Sequence, residues 1–230
     1  KESLKMQKDL TEWAVTRTKE GNASIKLRIV KGANLNMERI ESSKNNWPLK
    51  TFSSKEDVDA NFKQMIRYAC QNHRTHSVWI GVGSHNIFDI AYAMLERAAY
   101  GIEDTMNFEM LLGMNPAIRK AVQMVIDNVI VYCPFSNKEN VHHAVPYLLR
   151  RLDEQTQDEN FLAQSFVFEM GSPEWLDEVQ KFNDSFDKYL AEFDIINEPT
   201  TKHSAYLSED LLFKIASPLD LSSKKVSDAV

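Results

Sequence analysis

Ser77-Val-Trp-Ile-Gly-Val-Gly83 is a short apolar run of strand length, and the polar residues Ser84-His-Asn86 follow it directly. After Asn86, apolar residues recur every three or four positions as far as Gly101, which is the spacing of one face of a helix. An apolar strand, a polar junction and an amphipathic helix make one βα unit. Repetition of such units predicts a parallel sheet covered by helices.

The same unit recurs on both sides of this segment. Three more strands are predicted, at 24–30, 106–112 and 128–133. Their helices are predicted at 53–69, 116–124 and about 136–155, and another helix at 1–20 precedes the first strand. Ser53 and Ser136 are expected to cap two of these helices, since each has a glutamate three residues later. The predicted fold class is therefore α/β, with four βα units.

Three regions depart from the regular alternation. Residues 34–54 are polar and are predicted as a long excursion, and Pro146 predicts either a kink or a junction of two helices. Ser172-Pro-Glu174 is a strong helix start beyond the last βα unit. From residue 197 onward the chain is weakly patterned and is expected to be a linker or a disordered tail.

Composition excludes several classes of protein. The 230 residues carry 27 basic and 33 acidic side chains, a formal net charge of −6, which argues against nucleic acid or an anionic membrane as the main partner. No apolar run approaches the roughly 18–20 residues of a membrane-spanning helix. The two cysteines, Cys70 and Cys133, lack the spacing of a metal site or a disulfide framework. A cytoplasmic protein without a bound metal is expected.

Polar residues at the carboxyl ends of the predicted strands are the first candidate site, because ligands bind there in parallel α/β folds. An anion or a cofactor could be bound by the cations Arg28 and Lys31 together with the backbone N–H groups near Gly32. The alternative is that Arg28 and Lys31 are two solvated charges at a strand end, without a ligand. Asn86 is expected to cap the following helix, while His85 contacts a cofactor or only a turn.

The last predicted helix carries the second candidate site, Tyr147-Leu-Leu-Arg-Arg-Leu-Asp-Glu154. Helical geometry places Tyr147, Arg150, Arg151 and Glu154 in one sector beside an apolar stripe. Paired arginines suit a carboxylate or a phosphate, because their forked donors bind such groups bidentately. A solvated helix face with an ion pair four residues apart is the alternative.

Five segments in order resemble one family. They are Arg28-Ile-Val-Lys-Gly-Ala33, Gly83-Ser-His-Asn86, Phe108-Glu-Met-Leu-Leu-Gly-Met114, Tyr132-Cys-Pro134 and Tyr147–Glu154. Together they resemble the proline dehydrogenase family over about residues 24–160, most closely the proline dehydrogenase part of bifunctional bacterial proline utilization A enzymes. The resemblance implies a (β/α)8 barrel with FAD that oxidises L-proline to Δ1-pyrroline-5-carboxylate and passes electrons to a quinone. It also implies a downstream NAD-dependent aldehyde dehydrogenase domain that acts on the hydrolysed product.

The resemblance assigns substrate roles to five residues. Arg150 and Arg151 are expected to hold the carboxylate of proline. Tyr132 and Tyr147 are expected to form walls of the substrate pocket, and Leu111 to pack against the flavin or the substrate. A bidentate clamp of this kind would orient the substrate while the flavin accepts the hydride.

The resemblance assigns cofactor roles to a second group. Arg28 is expected near the flavin N5, and Glu154 is expected to hold the arginine pair or to touch the cofactor. The remaining predicted FAD contacts are Val30, Lys31, Gly32, Ala33, Ser84, His85 and Asn86. Asn34 and Leu35 stand where many members of the family have an aromatic pair, so a tyrosine role there is not expected.

Length is the largest departure from the family. A complete eight-stranded barrel takes roughly 250 residues, whereas only four strands are predicted here. The chain is therefore expected to be a fragment: the C-terminal half of a barrel at 1–160, an amphipathic helical connection at 161–196 and a tail at 197–230. The implied partners are L-proline, a quinone, the missing N-terminal half-barrel and a second copy of the chain, with peripheral contact at the inner face of the membrane.

Two other functions stay open at this stage. The first is a catalytically incomplete scaffold, because a half-barrel leaves unpaired strand edges that can bind another chain. The second is an unrelated α/β enzyme that binds phosphate at Arg150 and Arg151.

Overall fold

Four short strands form one parallel sheet in which the spatial order of the strands follows the chain. The strands are β1 (Ile25–Val30), β2 (Val78–Gly83), β3 (Met106–Leu111) and β4 (Val129–Tyr132). The computed structural model describes residues 2–32, 35–71, 76–127, 129–156, 161–165 and 168–192. The predicted parallel α/β fold with four βα units is confirmed.

Eight helices accompany the sheet within the described residues. They are α1 (Ser3–Lys19), α2 (Leu35–Asn45), α3 (Lys55–Gln71), α4 (Ile87–Tyr100), α5 (Pro116–Val125), α6 (Val141–Thr156), α7 (Phe161–Gln164) and α8 (Pro173–Glu192). None of these described helices combines the length and the apolar character that a membrane span requires.

The two faces of the sheet have different surroundings. On one face of the sheet, alternate strand residues such as Ile29, Ile80 and Phe108 pack against apolar side chains of α3 and α4. These buried residues form the core. The opposite face, here called the inner face, carries the other half of each strand. Val30, Trp79 and Tyr132 on this face are exposed by 53%, 43% and 37%. Because parallel sheets are normally covered on both faces, the inner face is the unusual surface of the molecule.

Several predicted boundaries were wrong. Residues 35–45 form α2 rather than an irregular excursion. None of the side chains of this helix is buried, so its sequence lacks the amphipathic pattern from which a helix is predicted. The cap of α3 is Ser54, not Ser53, because the Ser54 hydroxyl accepts from the backbone N–H of Asp57. Helix α6 begins at Val141, after a turn in which the Asn137 side chain accepts from the Asn140 N–H, so Ser136 does not cap this helix.

Three local predictions about helix ends and proline can be compared with the structure. Asn86 caps α4, with its side-chain oxygen accepting from the N–H groups of Phe88 and Asp89. Gly101 ends that helix in the left-handed conformation, at φ 63°. Pro146 lies inside the single helix α6, so two separate helices do not form.

Helix α8 packs on the outside of the sheet's helical layer rather than extending away from it. Its aromatic side chains meet α4, with Tyr92 making edge-on contacts to Phe182 and Phe186. Lys63 of α3 is fully buried beneath α8, where its ammonium donates to the Ser185 hydroxyl at 2.6 Å and lies 4.4 Å from the Phe182 ring centroid. The predicted helix at 173 is confirmed, and residues 197–230 lie outside the described residues.

Replacement of Lys63 by methionine is expected to raise the free energy of unfolding at pH 7 by about 1–3 kcal/mol. Burial lowers the pKa of Lys63 to about 8, against an ordinary value of 10.5, although Asp89 and Asp59 favour the charged form. The charged lysine therefore costs stability below pH 8, and this cost disappears as the pH rises from 8 to 10.5. Methionine keeps the contact with Phe182 and has no ammonium to desolvate.

Urea unfolding at pH 7 and at pH 10 measures this effect. Lys181→Met on α8 is the matched control, because the side chain of Lys181 is 38% exposed and pairs with Asp177 and Glu178 of its own helix. A loss of stability in Lys63→Met at pH 7 would show that the bond to Ser185 outweighs the burial of charge.

Candidate functional site

A buried carboxylate organises the inner face of the sheet. Glu109 of β3 has a side chain only 2% exposed, and its two oxygens pair with cations of β1. Lys26 lies 2.5 Å from one oxygen, and the Nε of Arg28 donates to the other. Because β1 and β3 are not neighbours, the side chain of Glu109 reaches across the whole width of β2.

Two glycines of β2 make room for this crossing. A Cβ at Gly81 would lie 2.2 Å from the Oε1 atom of Glu109, and a Cβ at Gly83 would lie 2.8 Å from a methyl of Val30. The register places Gly81 opposite Arg28 and Gly83 opposite Glu109. Glycine at 81 is therefore required so that the carboxylate can lie on the strand and meet its cations.

Arg28 also joins β1 to the far edge of the sheet. Its guanidinium lies 4.0 Å from the centroid of the Tyr132 ring, which is a cation–π distance. Burial opposes the charge of Arg28, but its hydrogen bond and charge interaction with Glu109 raise its pKa above the ordinary value. Arg28 is thus held as a cation, fixed on one side by a carboxylate and on the other by a phenol ring.

Tyr132 stands beside Leu111, its partner in the register between β3 and β4. The backbone N–H of Leu111 donates to the Nε2 atom of His85 at 3.0 Å. An Nε2 atom that accepts has no proton of its own, so neutral His85 carries its proton on Nδ1. That Nδ1 atom is buried and has no hydrogen-bond partner among the described residues.

Helix α6 contributes Arg151 and Tyr147 to the same end of the sheet. Arg151 lies over the ring of Tyr147, 5.2 Å from its centroid. Burial and then the positive charge of Arg151 lower the pKa of His85 to about 4. The contacts therefore join His85, the Leu111–Tyr132 pair, Arg28 and Glu109, and the stacked pair of Arg151 and Tyr147 acts on His85 through the charge of Arg151.

The free energy of unfolding should decrease as the pH drops from 6.5 to 4, because the folded protein keeps His85 neutral over this range. The ordinary pKa of 6.5 applies to the unfolded chain, which binds this proton first, whereas the folded chain resists it down to about pH 4. The contribution lost is at most about 3 kcal/mol. His85→Gln should remove this part of the acid sensitivity, and urea unfolding at a series of pH values measures it. An identical acid profile in the variant would contradict the buried neutral imidazole.

The structure also gives the contacts of three other predicted cofactor residues, Lys31, Ser84 and Gly32. Lys31 points its ammonium towards the helices, 2.7 Å from Asp59 and 2.6 Å from Asp89. Ser84 accepts from the backbone N–H of Asn86, and a Cβ at Gly32 would meet nothing within 4 Å. A cofactor contact by Lys31 stays a prediction, but the contacts of its ammonium are with protein carboxylates.

For three predicted site residues, Arg150, Ala33 and Glu154, the structure gives no contact that bears on the predicted role. Arg150 is exposed on α6, and its part in a carboxylate clamp stays a prediction. Ala33 and the side chain of Glu154 lie outside the described residues.

Sequence patterns had not assigned any role to Glu109 or to Gly81. The available signal was the alternation of side chains along the strand, since Glu109 lies on the same face of β3 as Asn107 and Leu111. Two glycines at alternate positions of β2 were a second signal for a close approach on that face.

Comparison with known proteins now identifies the family. The family model described as proline dehydrogenase matches residues 1–164, more than two thirds of the chain. The chain belongs to the proline dehydrogenase family. The match includes all four strands and every predicted site residue, and the resemblance suggested by the five sequence segments is confirmed.

Solved structures of proline utilization A are similar to this chain. The one from Corynebacterium freiburgense is 33% identical with a TM-score of 0.68, and covers 83% of this chain and 18% of its own. The one from Bdellovibrio bacteriovorus, inactivated by N-propargylglycine, is 27% identical with a TM-score of 0.67 and covers 80% and 18%. A third, with proline bound in remote sites, shares the fold at 19% identity and a TM-score of 0.56, over 70% and 16%.

The chain therefore spans less than a fifth of the length of these structures. No curated protein matches it.

Proposed function

We propose that this chain forms the flavin- and proline-binding half of a proline dehydrogenase, which oxidises L-proline to Δ1-pyrroline-5-carboxylate. The observation that carries the proposal is the set of contacts at the carboxyl ends of the strands that joins His85, Leu111 and Tyr132 to Arg28 and Glu109. In parallel α/β folds this end of the sheet is where ligands bind. Family membership supplies the substrate class.

The residues on the inner face suit a flavin. Arg28 is a permanent cation beside an exposed apolar surface, which fits a planar ring that gains negative charge. His85 offers a buried Nδ1 proton without a partner among the described residues, which suits an acceptor atom of the cofactor. FAD would supply the hydride acceptor, and the protein would supply binding, orientation and charge.

The substrate would lie between α6 and the strand ends. Arg151 offers a forked cation to the proline carboxylate, and Tyr147 stacks beneath that guanidinium. Tyr132 extends the aromatic wall towards Arg28. We propose that Arg150 adds a second cation when substrate is present, because it neighbours Arg151 on the same helix.

We further propose that the inner face is completed by four more βα units, as in a (β/α)8 barrel. The spatial order β1-β2-β3-β4 follows the chain, as in a barrel that continues past both edges. The exposed Trp79, Val30 and Tyr132 side chains would then be covered. The chain spans 18% of the Corynebacterium protein, which supports a longer parent. We propose that this parent is bifunctional and also carries an NAD-dependent domain.

A scaffold function is the second candidate, favoured by the same exposed inner face. The two functions differ in ligand binding. The full-length protein should bind FAD and release Δ1-pyrroline-5-carboxylate from L-proline in the presence of an artificial electron acceptor, with D-proline as the control. A flavin-free, inactive protein that forms a stable complex with another chain would favour the scaffold.

A further inference from the structure

Asp89 connects two loops that carry predicted cofactor residues. Its side chain is 2% exposed and lies 2.6 Å from the ammonium of Lys31, which follows β1. The same Oδ2 atom accepts from the hydroxyl of Ser84, which follows β2, at 3.4 Å. A single carboxylate thus fixes the loop after β1 to the loop after β2.

The turn between Ser84 and Asp89 is closed by its own hydrogen bonds. Ser84 Oγ accepts from the Asn86 N–H at 3.1 Å, and the Asn86 side chain accepts from the Asp89 N–H at 3.4 Å. His85 lies inside this closed turn, while its ring is held to β3 by the N–H of Leu111. Movement of Asp89 would therefore be transmitted to the backbone of His85.

We propose that Asp89 is a positioning residue for the cofactor: it holds the loops after β1 and β2 at a fixed separation, so that Gly32 and His85 can contact FAD together. The inference rests on the proposed function, because it assumes that FAD binds at these loops. The carboxylate of Asp89 is buried against Lys31 and Ser84, and it is not expected to touch the cofactor.

Asp59 provides a matched comparison in the same cluster. Its carboxylate lies 2.7 Å from the ammonium of Lys31 and 3.3 Å from that of Lys55. It belongs to α3 and is not part of the turn that holds His85. Replacement of either aspartate removes one negative charge from beside Lys31, but only replacement of Asp89 removes the link to Ser84.

The test uses the full-length protein, freed of flavin and titrated with FAD by fluorescence quenching. Asp89→Asn should weaken FAD binding about tenfold or more, because an amide is a poorer acceptor and pairs less well with Lys31. Asp59→Asn should change FAD affinity by less than about twofold, although the melting temperature of the flavin-free protein falls in both variants.

Equal FAD affinity in Asp89→Asn and the unsubstituted protein would overturn the inference and leave the proposed function standing. An unsubstituted protein that binds no FAD would overturn both. If Asp89→Asn does not fold, Asp89→Glu keeps the charge and displaces only the acceptor oxygen. Asp89→Glu should then weaken FAD binding more than Asp59→Glu does, and equal affinities in these two variants would overturn the inference.

Discussion

Arg151→Met is expected to raise the KM for L-proline by about 100-fold or more. The guanidinium is the forked donor placed beside Tyr147 and close enough to His85 to lower its pKa. Removal of one partner from a charge-paired, desolvated contact costs about 2–5 kcal/mol. Steady-state kinetics with an artificial electron acceptor measure the change, and flavin content is recorded for each preparation.

Two further variants distinguish the loss of a bidentate contact to the proline carboxylate from a general effect of removing a positive charge. Arg151→Lys keeps the charge but loses the bidentate geometry, so its KM should lie between those of Arg151→Met and the unsubstituted protein. Arg17→Met is the control, because Arg17 stacks on Trp13 near the opposite end of β1. An unchanged KM in Arg151→Met would remove the clamp assignment.

Glu109→Gln is expected to lower the turnover of proline by about 100-fold. Glutamine keeps the shape of the side chain, but it cannot hold both Lys26 and Arg28 as a carboxylate does. Arg28 would then leave its fixed position over Tyr132, and small displacements of a positioning group cost about this much in rate.

Gly81→Ala tests the same arrangement from the neighbouring strand. Its Cβ would lie 2.2 Å from the Oε1 atom of Glu109, so the carboxylate must move, and a loss comparable to that of Glu109→Gln is expected. Glu178→Gln is the control, because it also removes a buried carboxylate from an ion pair, but that pair, with Lys181, lies within α8. Normal turnover in both site variants would show that Glu109 does not position Arg28.

Strong local signals in the sequence predicted much of the fold. Strands β2 and β4 are apolar runs, whereas β1 and β3 alternate apolar and polar residues. Asn86 and Gly101 mark the ends of α4 by capping chemistry that needs no tertiary contact. Helix α2 was missed because its residues bury nothing, so the periodicity on which helix prediction depends was absent.

The site was only partly predictable, because its main contact crosses a strand. Arg28 and Glu109 are 81 residues apart in the chain, and only the strand order and register bring them together. The position of Lys31 at the end of β1 favours a cofactor contact, which stays a prediction, and its ammonium pairs with Asp59 of α3 and Asp89 of α4. Chain position alone could not indicate to which side of the strand end that long side chain turns.

The most direct test of the account is the anaerobic addition of L-proline to the flavin-loaded full-length protein. The account predicts that the visible absorbance of oxidised FAD is lost and that one Δ1-pyrroline-5-carboxylate forms for each flavin reduced, whereas D-proline changes nothing. Retention of the oxidised flavin spectrum in the presence of excess L-proline would contradict the proposed function.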